Sequence, residues 1–239
     1  MTGAQIFENI RIICGRISHA AIRAGRKPED IKLIAVTKTI SIQQLKEAID
    51  AGLRIFGESK VQEAREKVES LKLKVESSNL EWHLIGHLQK NKAKTAVELF
   101  EMIHSIDSLE LAEIADKHAE KAGKIQKILL QVKLSDETGK YGILKDNLFG
   151  LIRKISGLKN LSIKGLMTIP PFFENPENAR PYFNELRVLR DKAETMEFNL
   201  PELSMGMTND FEVAIEEGAT MVRIGTAIFG ERKNCPKEA

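Results

Sequence analysis

The amino-acid sequence predicts an α/β protein, a single (β/α)8 TIM-type barrel preceded by an extra N-terminal helix. Three observations predict it. Eight short runs of apolar, often β-branched residues recur along the chain, helical apolar periodicity separates most consecutive runs, and 239 residues without an interrupting linker match one barrel. The barrel is assigned to residues 1–232 and a polar tail to 233–239. An open doubly wound sheet is the alternative arrangement of the same elements.

The chain begins with a helix, because Ile6, Ile10, Ile13, Ile17 and Ala20 recur at steps of four and three and so lie on one stripe. Gly25 marks its end. Residues 31–36 then form a compact apolar run, as expected of a strand covered on both faces. Ser41 and Gln44 have the spacing of a capping box, and the helix they open stops at Ala51-Gly52. That sequence of strand, short loop, capped helix and glycine is the repeating unit. Further strands are predicted at 53–56, 81–85, 102–106, 128–132, 163–167, 203–205 and 221–224, and helices at 61–73, 89–100, 109–122, 147–155, 179–198 and 211–217. The stretch from Ala48 through Gly52 to Gly57 is echoed by Ala214 through Gly218 to Gly225.

Composition narrows the function. Apolar residues at 42% and charged residues at 29% describe a globular chain, not a disordered one. Lys plus Arg (36) nearly balance Asp plus Glu (34), which leaves no field to recruit nucleic acid or an anionic membrane. The basic stretch at 90–94 reads as a solvated helix start. Cys14 and Cys235 have no metal or redox spacing and are expected to be free thiols in a reducing compartment. Neither a signal peptide nor an apolar run of membrane-spanning length is apparent, so a cytoplasmic protein is expected.

Working residues of such barrels collect where strands end. Lys38 follows the first strand by two positions, where partly dry surroundings would favour the neutral amine, the form that attacks an aldehyde. A solvated lysine capping the strand is the plain alternative. At the far end, Ser204-Met205-Gly206-Met207-Thr208 follows the seventh strand, and Arg223-Ile224-Gly225-Thr226 ends the eighth. Small residues there let backbone N–H groups converge on a phosphate, although glycine also serves tight turns.

The histidines and the tryptophan have structural readings. His83 and His87 lack a Cys or carboxylate that would complete a metal site, so no metal is assigned and hydrogen bonding is expected. The turn at 104–107 is expected to cap the following helix, with Asp107 and Glu110 as its capping box. Trp82 is expected in the core.

Seven motifs in order resemble the pyridoxal phosphate homeostasis proteins, relatives of the N-terminal barrel of alanine racemase (fold type III). They are Ala35-Val-Thr-Lys38, Phe56-Gly-Glu-Ser-Lys-Val-Gln-Glu63, Trp82 through Lys92, His104-Ser-Ile-Asp107, Gly165 through Pro170, Ser204 through Thr208, and Val222 through Gly230. The resemblance implies that Lys38 carries pyridoxal 5'-phosphate as a Schiff base and that Ser204, Gly206, Thr208, Gly225 and Thr226 surround the phosphate. It also implies that Arg223 faces the pyridine nitrogen. An arginine can only donate there, which leaves that nitrogen unprotonated and the cofactor a poor electron sink. The family's usual Gly-Glu-Asn-Tyr or Gly-Glu-Asn-Arg is here Gly57-Glu58-Ser59-Lys60, so the amide's contact is missing, and Lys60 is expected on the helix surface.

Such a protein is expected to buffer the cofactor inside the cell and pass it to apo-enzymes, as a monomer with a dimer left open. An amino-acid racemase is the alternative. It needs an acid or base on each face of Cα, and Tyr141 and Tyr182, the only tyrosines, fall in no motif opposite Lys38. A third class is a phosphosugar-type lyase that uses Lys38 directly on a substrate carbonyl.

Overall fold

The computed structural model describes residues 1–72, 79–135, 137 and 141–231. Leu73, Gly139, Lys140, Arg232, Cys235 and the tail 233–239 lie outside the described residues.

Helix α1 (Gly3–Arg23) opens on a Thr2–Gln5 capping box and buries Ile6, Ile10, Ile13, Ile17 and Ala20, the predicted stripe. Strands β1 (Lys32–Val36), β2 (Ile55–Glu58), β3 (Glu81–Leu84), β4 (Met102–Ile106) and β5 (Gln126–Lys133) follow, then a short β6 (Ile143–Leu144), β7 (Leu161–Met167), β8 (Glu202–Ser204) and β9 (Met221–Ile224). Between them run α2 (Ile42–Asp50), α3 (Val61–Lys72), α4 (Ala93–Leu99), α5 (Leu109–Lys121), α6 (Leu148–Ile155), α7 (Arg180–Glu194) and α8 (Phe211–Glu216), and α9 (Thr226–Phe229) ends the series.

All pairings are parallel. The ring runs β1-β2-β3-β4-β5-β7-β8-β9 and closes where β9 returns to β1. With both β9–β1 and β4–β5 pairings present, the sheet has no open edge in this ring, which rules out the doubly wound alternative. The eight ring strands are those predicted. β6 is an addition, two residues that pair only with the end of β5, too short to carry a periodic signal.

Helix ends explain the echo between the two halves. After α2 and after α8 the chain turns through left-handed glycines, Gly52 at φ 98° and Gly218 at φ 99°, and in each case the next N–H bonds back five residues, Leu53 to Ala48 and Ala219 to Ala214. Two caps differ from expectation. Ser41 Oγ accepts from the Gln44 N–H at 3.3 Å, but the Gln44 side chain meets that hydroxyl instead of the Ser41 backbone. Helix α5 is capped by Ser108, not Asp107: its hydroxyl accepts from Leu111 N–H, while Glu110 turns away to pair with Lys90. A serine one residue later fits the same cap, and the spacing alone does not choose between them.

Alternation along the strands separates two cores. Ile34, Met102, Leu129, Met167 and Met221 pack together inside the barrel, while Ala35, Phe56, Trp82 and Ile103 face the surrounding helices. Trp82 is buried against Phe56 with ring centroids 5.5 Å apart, the expected core role.

Candidate functional site

Lys38 stands at the C-terminal end of β1. The ladder continues past the strand, since Thr37 N–H still donates to Gly57 O, and Thr37 shares the outer face of Ala35. Alternation therefore assigns Lys38 to the inner face of Ile34, at the mouth, where it is half-buried. Thr37 O accepts from Ile40 N–H at 3.0 Å, so Lys38 is the second residue of a four-residue turn, and the third, Thr39, has φ 66°.

Across the β1–β9 pairing lies the second part of the site. Register sets Ile34 beside Arg223, so Arg223 enters the interior below the rim. It is almost fully buried, donating from Nη1 to Ser204 Oγ at 2.6 Å and from Nη2 to Thr168 O at 2.9 Å. Burial lowers its pKa to about 10, partly opposed by the charge of Asp210, so it remains a cation at neutral pH.

The loop after β8 is shaped by Gly206. Its φ of 89° is a left-handed conformation, and a Cβ there would come within 2.6 Å of Ala214 Cβ and 2.9 Å of Phe211 Cα. Asp210 Oδ1 accepts from Met207 N–H and ties the loop into a turn, and burial pushes its carboxyl above the usual range. Gly225 precedes the four-residue α9, and its carbonyl accepts from Ile228 and Phe229 N–H, which leaves the N–H groups of Thr226 and Ala227 at the helix start. Thr208 is half-buried and Thr226 exposed beside this opening. Backbone N–H groups and two threonine hydroxyls on one rim, above a buried arginine, make a donor set suited to an anionic group.

Ser204 is placed differently from the rest of the predicted phosphate set. Its side chain is enclosed, and its hydroxyl sits between Arg223 and His104 Nδ1, 3.0 Å away. From there a chain crosses the interior: His104 Nε2 meets His83 Nδ1 at 3.0 Å, and His83 Nε2 lies 3.4 Å from Glu81 at the far end of β3. His104 is held well below its ordinary pKa, first by burial and then by the nearby His83 and Arg223, so its ring is neutral. His83 thus has the expected hydrogen-bonding role. His104 does not: it belongs to β4 and the barrel interior, not to a capping turn, because the strand runs on to Ile106 before the helix begins. His87 stacks on Tyr141 with centroids 3.5 Å apart, beside a cavity of about 180 Å³ lined also by Ile85, Gln131 and Ile169. Tyr182 packs on Phe173.

Sequence reasoning missed a second buried cluster behind Lys38. Glu58, at the end of β2, and Lys67 of α3 are both buried and paired at 2.8 Å, and Lys67 also meets Glu63 at 2.6 Å. The signal available was Glu63 and Lys67 four apart on one helix, but that spacing usually marks a solvated pair. Lys60 is exposed, as expected. Among the described residues there is no group of three or more potential metal ligands, and no helix is long and apolar enough to cross a membrane.

Comparison with known proteins adds the following. Residues 12–233 match the family model described as alanine racemase, N-terminal domain. The pyridoxal phosphate homeostasis protein of Aquifex aeolicus is 46% identical over 228 residues, 95% of this chain and 98% of its own. That of Escherichia coli K12 is 40% identical over 235 residues, 95% and 97%. PipY of Synechococcus elongatus, solved with pyridoxal phosphate bound, is 39% identical with a TM-score of 0.80 over 91% of this chain and 100% of its own.

Proposed function

The chain belongs to the pyridoxal phosphate homeostasis proteins, within the family of the alanine racemase N-terminal domain, and from this premise we propose that it binds pyridoxal 5'-phosphate on Lys38 and buffers it. The observation that carries the reading is the pairing of a mouth lysine with a helix-start cradle across one β1–β9 step, with Arg223 beneath both.

The residues fit the group. Gly206, Thr208, Gly225 and Thr226 offer backbone and hydroxyl donors to the phosphate, and Arg223 offers a donor to the pyridine nitrogen. Ser204 stays in the proposed set through Arg223, whose guanidinium it orients. Lys38 would hold the cofactor, which when bound would supply an aldehyde for the amine to join as a Schiff base, releasing one water. A buried arginine cannot take a proton from the ring nitrogen or lend it one, so the chain gives the cofactor little help as an electron sink, which favours storage over turnover. Delivery to apo-enzymes that use the cofactor, a monomeric state and a cytoplasmic address belong to the same proposal.

An absorbance spectrum before and after borohydride, followed by peptide mapping, tests it. Reduction is expected to fix the cofactor on Lys38, and Lys38→Ala is expected to lose the visible band while unfolding cooperatively. Adduct on another side chain would overturn the assignment. Sustained inversion of free alanine or serine at enzymatic rates would favour the racemase.

A further inference from the structure

We infer that Glu58, Glu63 and Lys67 are positioning residues for Lys38, clamping its turn from outside the barrel wall so that the amine stays at the mouth. The inference rests on the cofactor reading above only for what the amine does there.

Each anchor point of the turn is engaged. Thr37 O receives Lys67 Nζ as well as Ile40 N–H, Thr37 Oγ1 donates to Glu58 Oε1 at 2.6 Å, and Thr39 N–H donates to Glu63 Oε1. Lys67 then binds both carboxylates. Three elements, β2, α3 and the β1 turn, are thus joined by one ammonium.

The clamp opposes a real cost. Thr39 is β-branched and left-handed at φ 66°, in a turn position that usually takes glycine. Such a conformation persists only where its surroundings impose it. Stability alone does not account for the cluster, since a buried ion pair gains little over an apolar pair of the same volume. Here, moreover, Glu58 Oε2 has no hydrogen-bond partner among the described residues. Burial accordingly raises the Glu58 carboxyl above its usual range despite Lys67. What the cluster does determine is the path of residues 37–40, and so where Lys38 begins.

The test uses Glu63→Ala, which removes an acceptor that is partly exposed and leaves the Glu58–Lys67 pair in place. Glu63→Gln keeps an acceptor and serves as the rescue. Lys67→Met is the stronger variant, and if it fails to fold, Glu63→Ala decides alone. Three readouts are compared on the full chain: amide exchange at Thr39, the borohydride trapping rate with pyridoxal 5'-phosphate, and affinity for pyridoxine 5'-phosphate, which lacks the aldehyde. For Glu63→Ala, exchange is expected to rise and trapping to slow, each by about tenfold, the equivalent of roughly 1.4 kcal/mol. Affinity for the alcohol should stay within about twofold and Glu63→Gln should recover most of the trapping. Equal loss of trapping and of alcohol affinity would reduce the cluster to a general structural role, and unchanged exchange would overturn the clamp. If the unsubstituted protein does not trap on Lys38, the cofactor reading falls, while the exchange rates still decide whether the clamp exists.

Discussion

The two sides of the barrel mouth are built by different means. On the β1 side, the turn that carries Lys38 is held by charged side chains reaching it from behind the wall. On the β8–β9 side, the proposed cradle is mainly backbone, set by the left-handed Gly206, by a short turn tied to Asp210 and by the start of α9. The covalent anchor proposed for Lys38 must hold one atom in place while its chain stays adjustable, and side-chain contacts can do that. An anion cradle needs many N–H groups aimed together, which only the main chain supplies. The sides should therefore respond differently to substitution.

The largest effect is expected at Gly206. Gly206→Ala forces a Cβ against a backbone atom of α8 and a side chain that cannot withdraw, in a conformation alanine disfavours. Overpacking together with left-handed strain should cost about 3 kcal/mol, visible as a lower midpoint in urea. Glu63→Ala should cost about 1.5 kcal/mol or less in the same measurement, because it strands no buried charge. If the two variants lost equal stability, the contrast between a backbone side and a side-chain side would be broken.

Arg223 sharpens the contrast from beneath. Arg223→Met removes the cation under the cradle and frees Ser204 and Thr168 O, yet leaves Lys38 and its turn untouched. Affinity for pyridoxal 5'-phosphate should fall about tenfold to a hundredfold, as for loss of a charged hydrogen bond, while borohydride still fixes what is bound to Lys38. Unchanged affinity by calorimetry would mean that Arg223 does not face the ring.

The fold was legible because its signals are local. The stripe from Ile6 to Ala20 and the apolar run at 31–36 each state their own structure, and the paired Gly52 and Gly218 stops repeat at the right places. Lys38, Gly206 and Gly225 were legible for the same reason, each lying where a strand ends. The interior chain was not. Ser204, His104 and His83 come from three strands, and only closure of the sheet brings them within 3.0 Å of one another in sequence along the chain. Nor could spacing reveal that Lys67 is buried, since an i, i+4 pair looks alike on either face of α3 until Glu58 is seen opposite. Nor does the spacing to Glu110 that suggests a cap at Asp107 reveal that Ser108, one residue later, is the cap.

The smallest expected effect concerns that interior chain, which links the cradle side through Arg223 and Ser204 to β4 and β3. His104 is neutral in the folded protein, with a pKa well below the 6.5 of its unfolded form. As pH falls through 6.5 the unfolded chain takes up a proton that the folded one refuses, so stability is present above that pH and declines below it. Glu58 and Asp210 act in the opposite sense: burial raises their folded pKa values, so their contribution changes from the unfolded carboxyl values of 4.5 and 3.8 upward to the higher folded ones, and there it offsets part of the His104 slope. Between about pH 6.5 and 5, then, His104 should give a slope of up to about 1.4 kcal/mol per pH unit. Urea midpoints across that window are expected to flatten in His104→Asn, although the variant starts from a lower stability at neutral pH because the link from Ser204 to His83 is cut. An unchanged slope would show that the imidazole takes up its proton inside the barrel, and that the cradle side depends on ionised side chains as much as the β1 side does.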